Sequence, residues 1–185
     1  VDTISEGVWP AGIVYDPDNG YIYVENTGSN TISIINPSTN QVIANILLGA
    51  YPAGIVYDPS NGYLYVTDYG SNTVYVINPM NNSVIANIPV GGGPVGIVYD
   101  PDNGYIYVAN TGSNTISIIN PVNNTVIANI TVGSGPFGIA YDPSSGYLYV
   151  TNSGSGTISV VAVTLSPINY PSITNSTSTS TMSNT

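Results

Sequence analysis

The sequence contains no lysine, arginine, histidine or cysteine. Its ten charged side chains are all acidic, so no side-chain ion pair can form anywhere in the 185 residues. Nucleic-acid binding is excluded as a working expectation, because affinity for phosphate depends on Lys and Arg. Electrostatic docking on anionic lipid fails for the same reason. Without Cys there is no disulfide framework and no thiolate metal site. No run of about 18 apolar residues occurs, so no membrane span is expected. The chain begins Val1-Asp2-Thr3 without Met or an apolar leader, as expected of a mature N-terminus left by signal-peptide removal.

The missing bases also bear on pH. Below about pH 3 most Asp and Glu are protonated. A chain without Lys, Arg or His is then nearly uncharged and escapes the cationic self-repulsion that drives acid unfolding. The bias therefore points to an acidic exterior. What is abundant points to sheet: hydrophobic residues make up 42% of the chain and are mostly Ile, Val and Tyr, which fit a pleated, half-buried surface. Helix signals are absent.

One unit recurs four times. Asp-Pro stands at Asp16-Pro17, Asp58-Pro59, Asp100-Pro101 and Asp142-Pro143, in steps of 42 residues. The surrounding segments read GIVYDPDNGYIYV, GIVYDPSNGYLYV, GIVYDPDNGYIYV and GIAYDPSSGYLYV. Each unit holds four strand signals. Gly-Ile-Val-Tyr ends in a turn in which Pro presets φ and Gly accepts positive φ. Tyr-Ile-Tyr-Val, Thr-Ile-Ser-Ile-Ile and Val-Ile-Ala-Asn-Ile follow, separated by Asn/Gly/Ser and Asn-Pro turns. Four short antiparallel strands in roughly 40–45 residues match one blade of a β-propeller. The fold expected is all-β, four four-stranded blades over residues 1–165, with a Ser/Thr-rich tail over 166–185.

The ends are displaced by one strand. Fourth strands are expected at Val42–Ile46, Val84–Ile88 and Val126–Ile130, and the last unit has none. Residues 2–10 align without a gap on residues 86–94, so the N-terminus carries the missing strand. It completes the last blade either in cis or in a neighbouring subunit, because an open edge must be covered. The second arrangement gives a homo-oligomer or filament by edge-strand pairing. The tail, with Ser176-Thr177-Ser178-Thr179-Ser180-Thr181, reads as a linker or O-glycosylated stalk and is a second candidate donor.

The segments Tyr65-Val66-Thr67-Asp68, Tyr107-Val108-Ala109-Asn110 and Tyr149-Val150-Thr151-Asn152, each followed by a Gly-containing turn and a Thr-Ile/Val strand, resemble the YVTN β-propeller repeat. The Val-Ile-Ala-Asn-Ile-x-Val-Gly strand and the following Gly-Pro match it too. The resemblance covers residues 1–163. It implies a propeller, an extracellular or cell-surface location and a structural or binding role, as in surface-layer and other exported proteins of archaea and some bacteria. Members usually carry seven blades; this chain has four.

Asn-x-Ser/Thr sequons stand at Asn81, Asn123, Asn129 and Asn175, and covalent glycans are the expected modification. Asp16, Asp18 and Asn19 fail the spacing of a calcium loop and are better explained as turn formers, so no metal or other cofactor is expected. Without His, Lys or Cys no ordinary nucleophile–base pair exists, and the chain is expected not to be an enzyme. Only a carboxylate pair of the glycoside-hydrolase kind remains. Its candidates, Glu25 and Asp68, follow the second strands of blades one and two and are offset by one position. Trp9, Tyr51, Tyr69 and Phe137 also break the repeat. These six form a candidate binding rim, the aromatics either stacking on a sugar or partner or filling gaps between blades.

Overall fold

A computed structural model describes residues 1–170 of the chain. It contains fifteen strands and, among the described residues, no helix, and therefore none that could cross a membrane. Blade 1 comprises β1 (Pro10–Tyr15), β2 (Ile22–Asn26), β3 (Thr31–Asn36) and β4 (Gln41–Leu47). Blade 2 comprises β5 (Pro52–Asp58), β6 (Tyr63–Asp68), β7 (Thr73–Asn78) and β8 (Ser83–Pro89). Blade 3 comprises β9 (Pro94–Tyr99), β10 (Ile106–Asn110), β11 (Thr115–Asn120) and β12 (Thr125–Thr131). Blade 4 has β13 (Pro136–Asp142), β14 (Tyr147–Asn152) and β15 (Thr157–Ala162). Each blade is an antiparallel meander in chain order. The fourth strands fall where the repeat predicts them.

The turns explain why the repeat folds this way. The Asp of each Asp-Pro accepts, through Oδ1, the N–H two residues on, at 2.9, 2.8, 2.9 and 2.9 Å in blades 1 to 4. Its carbonyl takes the N–H of Gly20, Gly62, Gly104 or Gly146, whose φ of 71–81° a Cβ would penalise. Asp16, Asp18 and Asn19 are thus engaged in a turn. Asn30, Asn72 and Asn114 take left-handed φ in the next turn. Their side chains then accept the N–H of Tyr51, Gly93 and Gly135 at 3.0, 2.8 and 2.9 Å, tying the turn to the linker into the following blade.

The blades pack in order, 1 on 2, 2 on 3 and 3 on 4, with the first strands side by side along the axis. Each seam is a separate apolar core. Tyr23, Ile32, Ile34 and Ile46 of blade 1 meet Tyr57, Leu64, Val66 and Ile77 of blade 2. The same positions recur at the next two seams. Gly54 and Gly96 are required here, because a Cβ on either would collide with the carbonyl oxygen of Val95 or Phe137 in the next blade. A tyrosine hydroxyl ties each seam. Tyr57 donates to Asp18 Oδ2 at 2.6 Å, Tyr99 and Ser60 share a bond of 2.6 Å, and Tyr141 donates to Asp102 Oδ2 at 2.5 Å.

Of the two completions expected for blade 4, the one in cis is not formed. Sheet β13–β15 stays three-stranded and residues 1–9 carry no strand. The N-terminal segment instead lies on blade 1, where Val8 accepts the Gly28 N–H at 2.8 Å and Trp9 the Thr27 N–H at 3.1 Å. The blades form an open arc, in which Ile13 of blade 1 and Ile158 and Val160 of blade 4 stay exposed. Beyond β15 the chain doubles back. Val163 and Leu165 enter the blade 3–blade 4 seam, Ile168 N–H donates to Asn103 O at 2.8 Å, and the Tyr170 hydroxyl donates to Asp58 Oδ2 at 3.2 Å. Residues 166–170 of the expected tail therefore strap the Asp-Pro turns of blades 3 and 2.

Candidate functional site

All six candidate rim residues lie at one end of the arc, where the linkers enter the first strands and the second strands end. The pairing of Tyr51 O with the Tyr69 N–H at 2.9 Å, equivalent to Trp9 with Thr27, joins linker and turn there. The Asp-Pro turns and the C-terminal strap occupy the opposite end.

Glu25 and Asp68 are not exposed on this rim; both are fully buried. Glu25 Oε1 accepts the Gly12 N–H at 2.8 Å, a donor released by the bulge in β1. In blade 4 Thr151 Oγ1 takes the equivalent Gly138 N–H at 2.9 Å, so Glu25 fills a threonine's place. Burial pushes its carboxyl up to about 7, against the lowering influence of the Gly12 and Thr27 bonds. Asp68 stands where the other blades carry Asn26, Asn110 and Asn152, whose amides donate to Ser33, Ser117 and Ser159 at 2.9 Å each. A carboxylate cannot donate, and Tyr75 replaces the serine. Asp68 Oδ1 accepts the Ser71 N–H at 3.0 Å, while Oδ2 has no partner among the described residues. Glu25 and Asp68 have no hydrogen-bond partner in common. The expectation that they stand on the surface of one rim is corrected: both sit at the rim end of their strands, but their carboxylates are buried and the one-position offset in the repeat places them on opposite faces of β2 and β6.

The aromatics behave differently. Trp9 is 69% and Tyr51 53% exposed, and Tyr69 and Phe137 are also exposed. Of the four, Tyr69 still packs against the linker into blade 3. Trp9 and Tyr51 hold φ of 55° and 65° at a position where blades 3 and 4 place Gly93 and Gly135, with φ of 62° and 63°. An aromatic in left-handed backbone costs on the order of 1 kcal/mol or more, and such strain clusters at functional positions. Tyr69 lies against Gly93, where a Cβ would meet its ring at 2.9 Å. The ring of blade 2 thus covers the spot that a side chain of blade 3 would need.

The sequon asparagines diverge. Asn81 and Asn123 are exposed in the turns between third and fourth strands. In each, the sequon's own hydroxyl donates to the asparagine Oδ1, Ser83 to Asn81 and Thr125 to Asn123, both at 2.7 Å. Neither Nδ2 makes a hydrogen bond among the described residues. Asn129 lies in β12 and accepts from Ser117 at 2.8 Å. Asn175 lies outside the described residues. Two residues that the repeat pattern had not singled out gain meaning from the seams. Tyr15 and Ser144 are the unmatched ends of a series of Tyr–Asp/Ser pairs spaced 39 residues apart.

No family model matches the chain, and no curated protein matches it. Solved structures do. Hydrazine synthase of Kuenenia stuttgartiensis overlays with a TM-score of 0.75 at 24% identity, over 86% of this chain and 47% of that one. Virginiamycin B lyase of Staphylococcus aureus gives 0.65 at 18%, over 86% and 57%. The WD40 repeats of RRP9 give 0.67 at 9%, over 85% and 52%. The chain is a β-propeller in fold, and it spans about half the length of these structures.

Proposed function

We propose that this chain is a non-catalytic structural propeller of the cell exterior, in the manner of the YVTN surface-layer proteins it resembles, with N-linked glycans on Asn81 and Asn123. The observation that carries the reading is the sequon geometry. Two equivalent, exposed turns each present an asparagine whose Oδ1 is held by the sequon hydroxyl and whose Nδ2 is free. The burial of Glu25 and Asp68 in separate backbone roles supports the absence of catalysis, and the lack of any base supports an acidic exterior. Expressed in a glycosylating host, the chain is heavier than its 19.2 kDa, and Asn81→Gln with Asn123→Gln lowers that excess by the mass of two N-linked glycans. An intact mass equal to the bare chain refutes the glycan reading.

The strained, exposed aromatics favour a second role for the opposite rim, capture of a neutral ligand such as a sugar by stacking. The Trp9→Gly/Tyr51→Gly variant then gains up to about 1 kcal/mol in urea unfolding, since glycine relieves the positive φ. It also loses its signal on a glycan array. A variant less stable than the parent shows instead that the rings are packed for stability.

A further inference from the structure

The two ends of the arc are the two halves of one seam. Inside the molecule Tyr57 is 8% exposed, while its equivalent Tyr15 on blade 1 is 55% exposed and lacks the hydroxyl partner that Asp18 provides to Tyr57. Ser144, on blade 4, is exposed and bonds only its own turn, through Asp142 Oδ1 at 2.7 Å. Ser60 and Tyr99 already form this type of pair at 2.6 Å between blades 2 and 3. The apolar surfaces correspond in the same way. Ile158 and Val160 of blade 4 are exposed, whereas Val74 and Val76, at the same positions, are fully buried against blade 3. Ile13 of blade 1 is exposed where Ile55 packs into a seam.

Blade 4 also lacks its outer strand, and residues 2–5 are that strand by repeat alignment. The register follows from blade 3, where Ile118, Ser117, Ile116 and Thr115 pair with Ala128, Asn129, Ile130 and Thr131. Transferred to the ends, Val160 faces Asp2, Ser159 faces Thr3, Ile158 faces Ile4 and Thr157 faces Ser5. Ile4 then takes the buried place of Ile46 and Ile88.

We propose that blade 4 of one copy receives, in trans, residues 2–5 and the outer face of blade 1 from a second copy of this chain. The partner is a second copy because the surfaces left bare are the two that the repeat buries against each other at every internal seam. The proposal rests on the structural reading above and adds its partner. Two such joints close two arcs into one ring of eight blades, within the range of about four to eight typical of propellers. Two residues depart from the pattern, the first being Asp2, which stands where Ala44 and Ala86 pack against the seams. Glu6 stands where Leu48, Val90 and Val132 pack into the seams, and its Oε1 is buried without a partner among the described residues. The joint is therefore weaker than an internal seam.

The chain has no cysteine, which makes crosslinking specific. A Thr3→Cys chain mixed with a Ser159→Cys chain and mildly oxidised gives a covalent heterodimer. The off-register mixture of Thr3→Cys with Ile158→Cys does not, because one residue of slip points the side chains to opposite faces. Unmodified chain shows twice the 19.2 kDa monomer mass in light scattering, and Glu6→Leu tightens the association roughly tenfold. Higher multiples also establish the joint, in an open rather than a closed array. Monomer mass at all concentrations without an in-register crosslink overturns the proposal. So does a Thr3→Cys/Ser159→Cys double variant that links only within one chain. Bacterially made, unglycosylated protein suffices, so failure of the glycan reading leaves this test intact.

Discussion

Leu64→Ala lowers the unfolding free energy by about 2–5 kcal/mol, whereas Ile13→Ala costs less than about 1 kcal/mol in the unpaired chain. Leu64 is fully buried in the seam of blades 1 and 2, among Tyr23, Ile32, Ile34 and Tyr57. Truncating it removes apolar contacts and leaves a cavity that two sheets cannot close around, since the Tyr57–Asp18 bond and the close approach of Gly12 to Ile55 fix their separation. Ile13 sits on the uncovered face of blade 1 and has little to lose. Urea unfolding of both variants at low protein concentration checks the contrast. Equal costs would mean that the blade 1 face is covered in solution by the same chain.

The chain is more stable at pH 4 than at pH 8. Burial raises the Glu25 carboxyl to about 7 and also raises Asp58 and Asp100. An acid raised in the folded state binds more protons there than when unfolded. Its contribution is fully present below the unfolded value and is lost as pH rises through the folded one. For Glu25 that window runs from about 4.5 to about 7 and is worth on the order of 2 kcal/mol after solvent screening near the rim. Asp142, exposed and lowered by the Ser144 and Ser145 hydroxyls, acts in the opposite sense, but only below about pH 4. Thermal melts across this range should show the midpoint rising as pH falls, and Glu25→Thr, which restores the residue of blades 2 and 4, should flatten most of the slope. A midpoint that falls steadily from pH 8 to pH 4 would refute the acid-adaptation reading of the composition.

The blades and their turns were legible because their determinants are local. Alternation marks Tyr-Ile-Tyr-Val as a strand, and Asp-Pro-x-x-Gly carries its own hydrogen-bonding pattern. The structural role of the recurrent Asp followed from recurrence alone. The missing fourth strand of blade 4 was legible as an alignment of residues 2–10 on 86–94. Closure was not legible, because it depends on the tilt between blades, which many side chains in each seam set together. The orientation of Glu25 and Asp68 was hidden for another reason. A polar residue at a strand end reads as exposed, yet the bulges and tight turns beside it leave buried backbone N–H groups that a carboxylate can satisfy. The strap of Ile168 and Tyr170 gave no signal, since a single hydroxyl reaching Asp58 has no periodicity.

The seams carry a last consequence. Each is made by the same residues recurring every 42 positions, with a tyrosine of one unit meeting the turn of the unit before it. Any unit therefore fits beside any other. Gene duplication or deletion in whole units would lengthen or shorten the arc without requiring one new complementary surface, so the number of blades is free to drift while the architecture stays fixed.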